Sequence, residues 1–162
     1  MKICGIVGWK NSGKTFFAQK LISFFTHQKL KVASIKHAHH NFDIDKPNTD
    51  SFLHRKAGSQ QVIISSSKRW AKISELNKSK EKTLYELVDE LSKPDIIIVE
   101  GFKNENHAKI EIINNDSDPS THLFPHLKSV IGVVTDFKIE TSIKQFKKNE
   151  IAIIANYILT KT

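Results

Sequence analysis

A three-layer α/β/α fold, with a mostly parallel sheet and an inserted β-hairpin, is predicted for this 162-residue chain on three observations. Strand-length apolar runs alternate with helical patterns, the order that places helices on both faces of a parallel sheet. The segment Gly8-Trp9-Lys10-Asn11-Ser12-Gly13-Lys14-Thr15 has the spacing G-x-x-x-x-G-K-[ST] and stands between the first such run and the first helical pattern. The run Ile96-Ile97-Ile98-Val99 is the most apolar in the chain, as a central parallel strand is, and ends on Glu100 before Gly101. Together they predict the phosphate-loop (P-loop) NTPase version of the fold, in a single domain spanning residues 1–162.

The elements follow in order. Ile3-Cys4-Gly5-Ile6-Val7 reads as a buried strand, and Phe16, Phe17, Leu21, Ile22, Phe24 and Phe25 carry a helix that ends near His27-Gln28. Lys31 to Lys36 is a second strand, followed by a polar, histidine-rich loop from His37 to Asn48. Asn48 or Thr49 can cap a short helix through Asp50, Phe52, Leu53 and Lys56 that stops at Gly58. Gln61 to Ser65 and Arg69 to Leu76 are strands joined by Ser66-Ser67-Lys68, a spacing that makes residues 61–76 a hairpin insertion. Thr83 to Leu91 is an amphipathic helix that ends before Pro94, and Asp95 to Glu100 is the apolar central strand. Lys109 to Ile113 and Val130 to Thr135 are further strands, separated by a loop at Asn114 to Pro125. Two closing helices are predicted at Glu140 to Phe146 and Glu150 to Leu159.

Composition narrows the function classes. An apolar fraction of 39% suits a globular domain, and the lone Cys4 excludes a disulfide framework and points to a reducing compartment. Met1 to Val7 lacks the pattern of a signal peptide, and no apolar run nears membrane-spanning length, so no membrane partner and a cytoplasmic location are expected. The net charge of +8 comes from lysines spread without a basic stripe, which argues against a nucleic-acid face. Such a surface still attracts polyphosphates and acidic protein partners. Of the 25 basic residues only Arg55 and Arg69 are arginines, so each is either an ordinary surface residue or one kept for bidentate geometry that lysine cannot supply.

The P-loop carries the first chemistry. Glycines let the backbone turn its N–H groups inward around phosphate oxygens, and the following helix adds the positive end of its dipole. Lys14 reaches the β- and γ-phosphates and the Thr15 hydroxyl ligates Mg²⁺, so a nucleoside triphosphate is the expected ligand. Glu100, at the carboxyl end of a parallel strand beside that loop, holds Mg²⁺ or positions water. A third signal is Lys36-His37-Ala38-His39-His40 with Asp43, Asp45 and Asp50, which is either a metal site or a loop closing over phosphates. The spacing is poor for a metal, and contact with phosphate or a partner is the preferred reading.

Taken in order, G-W-K-N-S-G-K-T, K-H-A-H-H-N-F-D-I-D-K-P-N-T-D-S-F-L-H-R-K-A-G-S, S-S-S-K-R-W and I-V-E-G-F-K resemble the MobB family, accessory proteins of molybdopterin-guanine dinucleotide synthesis. Within these blocks Asn48 stands where glycine is more usual, and Ser59 replaces a common alanine. The resemblance implies a GTP-binding homodimer with feeble hydrolysis, acting with the MobA-type nucleotidyltransferase that transfers GMP to molybdopterin. It further implies that Gly8, Asn11, Ser12, Gly13, Lys14 and Thr15 hold the triphosphate, with Glu100 serving the Mg²⁺ site and Asp45 near it. His37, His40, Asp50, Arg55 and Arg69 match family motif positions as candidate contacts to a ligand or partner. The arginines could receive an anionic pterin phosphate, of molybdopterin or its guanine dinucleotide, or a partner's acidic surface. The hairpin is a candidate dimer element, because an exposed strand edge invites pairing.

Two other classes use the same loop. A small-molecule kinase normally brings an arginine-rich lid to the phosphates, which two arginines do not provide. A regulatory GTPase reads its base with [NT]-K-x-D after a late strand. Here Thr135-Asp136-Phe137-Lys138 has the place but not the order, so guanine preference rests on the resemblance alone.

Overall fold

In the computed structural model, residues 1–38, 42–77 and 80–162 are described. The chain divides into two compact units, residues 1–37 with 84–162, and residues 38–83.

The first unit is built on a six-stranded sheet in the order β2-β5-β1-β6-β7-β8. Its strands are β1 (Lys2–Val7), β2 (Val32–Lys36), β5 (Ile96–Glu100), β6 (Lys109–Ile112), β7 (Val130–Val134) and β8 (Lys144–Phe146), and every adjacent pair is parallel. Successive side chains alternate between faces. Cys4, Ile6, Ile96, Ile98, Ile110 and Ile112 face one way, against Phe17, Ala18, Leu21 and Phe25 of α1 (Lys14–His27) and Ile154, Ala155 and Ile158 of α4 (Ile151–Lys161). Ile97 and Val99 pack with Ile35 and with Leu84 and Val88 of α3 (Leu84–Asp89) in a second cluster. Each fully buried Leu, Ile or Phe contributes about 1.5–3 kcal/mol, so these clusters are what hold the helices to the sheet.

β6 also carries charge into the interior. Lys109 is 0% exposed and its ammonium donates to the carbonyls of Glu105 and His107 and to Ser129 Oγ. Glu111 accepts from the backbone N–H groups of Leu123 and Phe124, both at 2.8 Å, which ties the segment after β6 to the strand. Burial pushes Glu111 upward in pKa, and those two N–H groups oppose the shift. His107 is buried with neither ring nitrogen hydrogen-bonded. Its ring uses the space left by a missing side chain, because a Cβ on Gly5 would stand 2.5 Å from His107 Nε2.

One element differs from expectation. The helix predicted at Glu140 to Phe146 is instead an edge strand, with Gly132, Val133 and Val134 in register with Lys144, Gln145 and Phe146. Thr141 Oγ1 accepts from the Ile143 N–H at 3.1 Å, the kind of local bond that competes with helix. Gln145 meanwhile ties down the preceding loop, donating to the Phe137 carbonyl at 2.6 Å. A three-residue strand is enough to bury Phe146, whose ring meets that of Tyr157 at 5.1 Å.

The second unit holds α2 (Asp50–Lys56) and the hairpin of β3 (Gln61–Ser65) and β4 (Trp70–Ser74). Thr49 does occupy the N-cap, but its hydroxyl donates back to the Lys46 carbonyl at 2.8 Å rather than capping α2. At the other end Gly58, at φ +106, lets its own N–H reach Arg55 O and that of Ser59 reach His54 O. β3 and β4 pair antiparallel from Gln61↔Ser74 to Ser65↔Trp70, as a two-stranded sheet of their own and not as a strand pair within the main sheet.

Candidate functional site

The P-loop leaves the end of β1, the strand on either side of which the chain order reverses, where a parallel sheet opens a crevice at its carboxyl edge. Its glycines are needed for different reasons. A Cβ on Gly8, at φ +140, would lie 2.4 Å from the Ile112 carbonyl oxygen and 2.9 Å from Ser12 Oγ. Gly13, at φ +89, has nothing within 4 Å of where a Cβ would stand, so it serves conformation and leaves an open approach to the helix start. Asn11 also takes a left-handed conformation, at φ +62. The first bond of α1 runs from the Phe17 N–H to the Gly13 carbonyl at 2.9 Å, so the N–H groups of Lys14, Thr15 and Phe16 stand at the helix start, where an anion is favoured.

Side chains converge on the same edge. The Thr15 hydroxyl donates to Glu100 Oε1 at 2.9 Å. Lys36 Nζ lies 3.3 Å from that same oxygen. The register explains the meeting, because Glu100 pairs with Ile6 of β1 on one side and with Lys36 of β2 on the other. Lys14 folds back over the loop and donates to the Trp9 carbonyl at 2.5 Å. Burial lowers its pKa, Glu100 raises it, and the Lys36 charge lowers it again.

Two hard oxygens side by side, hydroxyl and carboxylate, are what Mg²⁺ takes from a protein when phosphates and water complete its shell. Among the described residues no group of three or more His, Cys, Asp or Glu could hold an ion by itself, so the residues fit a nucleotide-borne Mg²⁺ and not an all-protein cage.

His37 sits beyond Lys36, its ring stacked on Phe102 at 4.5 Å. Gly101, at φ +98, makes room for this, since a Cβ there would be 2.7 Å from His37 Cβ. The Lys36-His37 and Glu100-Gly101-Phe102 blocks are therefore one structural unit. Sequence reasoning missed two braces of the loop, the Trp9 indole N–H to the Thr121 carbonyl and the Asn114 amide to the Asn11 carbonyl at 2.9 Å. Asn114 is held in turn by Lys148, whose ammonium also pairs with Asp136 at 3.3 Å. No pattern within the loop after β6 announces these contacts.

Asp45, Asp50, Arg55 and Arg69 belong to the second unit, and His40 lies outside the described residues. Asp45 was expected beside the metal, and its two oxygens are bonded by Arg55 Nε at 3.0 Å and a terminal guanidinium nitrogen at 2.6 Å. Arg55 makes four hydrogen bonds in all, to Asp45, Asp43 and Glu75, which ties α2 to the loop before it and to the end of β4. These bonds hold the Asp45 carboxyl below its ordinary pKa and raise that of Arg55. Of the two readings open for Arg55, bidentate geometry is the one it shows, used here on carboxylates of its own unit. Asp50 lies in the first turn of α2, and Arg69 closes the hairpin turn through its backbone, its N–H reaching Ser66 Oγ at 3.2 Å.

Comparison with known proteins agrees with this architecture. Residues 3–136 match the family model described as molybdopterin guanine dinucleotide synthesis protein B, MobB. The chain is 32% identical over 159 residues to the molybdopterin-guanine dinucleotide biosynthesis adapter protein of Escherichia coli (strain K12), covering 97% of this chain and 91% of that one. It is 33% identical over 157 residues to the adapter protein of the same name in Haemophilus influenzae, covering 96% and 86%. A crystal structure of molybdopterin-guanine biosynthesis protein B superposes with a TM-score of 0.77 at 25% identity, over 99% of each chain. Bacillus subtilis MobB shares the fold with a TM-score of 0.77, over 99% of this chain and 97% of that one.

Proposed function

This chain belongs to the MobB family, and from that premise we propose that it is an Mg²⁺- and GTP-binding adaptor that assists a MobA-type nucleotidyltransferase in attaching GMP to molybdopterin. The observation that carries the nucleotide reading is the meeting of Thr15 and Glu100 at 2.9 Å beneath an intact P-loop. The loop N–H groups and Lys14 take the β- and γ-phosphates, and Thr15 and Glu100 provide the protein oxygens of the Mg²⁺ site. Mg²⁺ supplies charge neutralisation of the phosphates when bound.

The protein presents its ligand and leaves the transfer to its partner. The P-loop itself carries no arginine, and the guanidinium of Arg55 is bonded to three carboxylates of its own unit. Turnover on GTP by the isolated protein is therefore far below the roughly 1–100 s⁻¹ of kinases. The acting species is a homodimer joined through the hairpin, whose Ile63 and Trp70 are 67% and 68% exposed on a two-stranded sheet with unpaired edges. No helix among the described residues is long and apolar enough to cross a membrane.

The test is a reconstituted assay with molybdopterin, GTP and Mg²⁺, each protein alone and together, beside calorimetric titration of GTP and ATP. Stimulation of the partner's GMP transfer, with tight GTP binding here, is the expected result. Multi-turnover GMP transfer by this chain alone overturns the adaptor reading.

A further inference from the structure

We propose that Lys36 is a γ-phosphate contact: it exchanges Glu100 for the terminal phosphate, so that the site distinguishes a nucleoside triphosphate from a diphosphate. The inference rests on the nucleotide reading of the P-loop given above.

Position is the first argument. Lys36 is the last residue of β2, and Ile6, Glu100 and Lys36 form one row across the carboxyl edge of the sheet. Its ammonium contacts the very oxygen that receives the Thr15 hydroxyl. It therefore shares one carboxylate oxygen with the second residue of α1, on a side chain rooted at the end of a strand.

Charge is the second. Two ammonium groups, Lys14 and Lys36, face one carboxylate, Glu100, and the helix start adds partial positive charge. Among these described groups positive charge is in excess, and a terminal phosphate balances it.

Relative strength is the third. The Lys36 side chain is 62% exposed and its bond to Glu100 is 3.3 Å long, and exposed ion pairs of this kind hold weakly. An ammonium bound to a phosphate in a partly enclosed site holds better. A divalent cation on the Glu100 oxygen also repels an ammonium on that same oxygen, so arrival of the ligand frees Lys36 to move. A diphosphate ends short of this row and gives Lys36 nothing to bind.

The experiment compares Mg-GTP and Mg-GDP by calorimetric titration of the intact protein and its Lys36→Ala, Lys36→Gln and Lys14→Ala variants. Circular dichroism verifies that each is folded, as expected for an exposed position. Lys36→Ala and Lys36→Gln are expected to lose about 10- to 100-fold in GTP affinity and less than about 3-fold for GDP. Lys14→Ala is expected to lose both ligands. Equal losses for GTP and GDP, or no loss in the Lys36 variants, overturn the inference while the Lys14 result leaves the nucleotide reading standing. Absence of binding of either nucleotide by the unaltered protein overturns both.

Discussion

His107 makes the protein acid-sensitive, and His107→Leu should relieve much of that sensitivity. The imidazole is 6% exposed, neither nitrogen is hydrogen-bonded, and burial, with the Lys109 charge beside it, lowers its pKa to about 4 from an ordinary 6.5. The folded state thus takes up its proton about 2.5 pH units later than the unfolded chain. Between those two values the unfolded chain binds more protons, so stability falls as pH falls through this window. At pH 7 the effect is near zero. At pH 5 the unfolded imidazole is almost fully charged and the folded one is not, which costs about 1–2 kcal/mol. Against a total stability of about 5–15 kcal/mol this is a sizeable share. Urea unfolding at pH 7 and pH 5 measures it, the midpoint moving by roughly 0.5–1 M at a typical slope of about 2 kcal/mol/M. The His107→Leu protein still titrates its other groups, so the difference between the two proteins' pH responses isolates this ring. An identical loss of stability from pH 7 to pH 5 in both refutes the reasoning.

Three further outcomes follow from the geometry. Gly8→Ala forces a Cβ against the Ile112 carbonyl and should abolish triphosphate binding, whereas Gly13→Ala meets no atom and should cost only the roughly 1–2 kcal/mol of a left-handed alanine; nucleotide titration and thermal melts of the two separate these causes. Glu100→Gln should weaken Mg²⁺-dependent nucleotide binding far more than Asp95→Asn, because Asp95 sits at the opposite end of β5 and accepts from the Lys31 N–H at 2.7 Å; equal effects would contradict the site's placement. Arg55→Lys should loosen the second unit, since an ammonium cannot serve Asp43, Asp45 and Glu75 together, and limited proteolysis should show faster cleavage within residues 38–83.

Sequence pattern located most of the frame because its signals are local. The P-loop spacing fixes a strand end and a helix start, and the run before Glu100 has a composition that only a doubly covered strand tolerates. The edge strand at Lys144–Phe146 was illegible because three residues carry too little periodicity, and its pairing partner lies in β7. Within the site, Thr15 and Glu100 were readable from motif, but the approach of Lys36 to the same oxygen is a fact of register, which no single segment encodes. For Arg55 the sequence left a special and an ordinary surface role equally open, because its three carboxylate partners come from both flanks of α2 and could be grouped only in space. The burial of Lys109 and His107 had no signal either, since a lysine within a strand pattern ordinarily faces water.

The all-parallel sheet also dictates when a working molecule can first exist during its synthesis. β1 leaves the ribosome before the other strands of this sheet, yet it is an interior strand, and its two neighbours begin only at Ile96 and Lys109. At about 5–20 residues per second, the nascent chain spends roughly 5–20 s with the Ile3-Cys4-Gly5-Ile6-Val7 run lacking either partner strand. The phosphate loop hangs from that run and has no fixed backbone until the strand is clasped from both sides. Nucleotide therefore has no formed loop to bind in the early stages of folding, and the first strand stays open to other pairings through that interval.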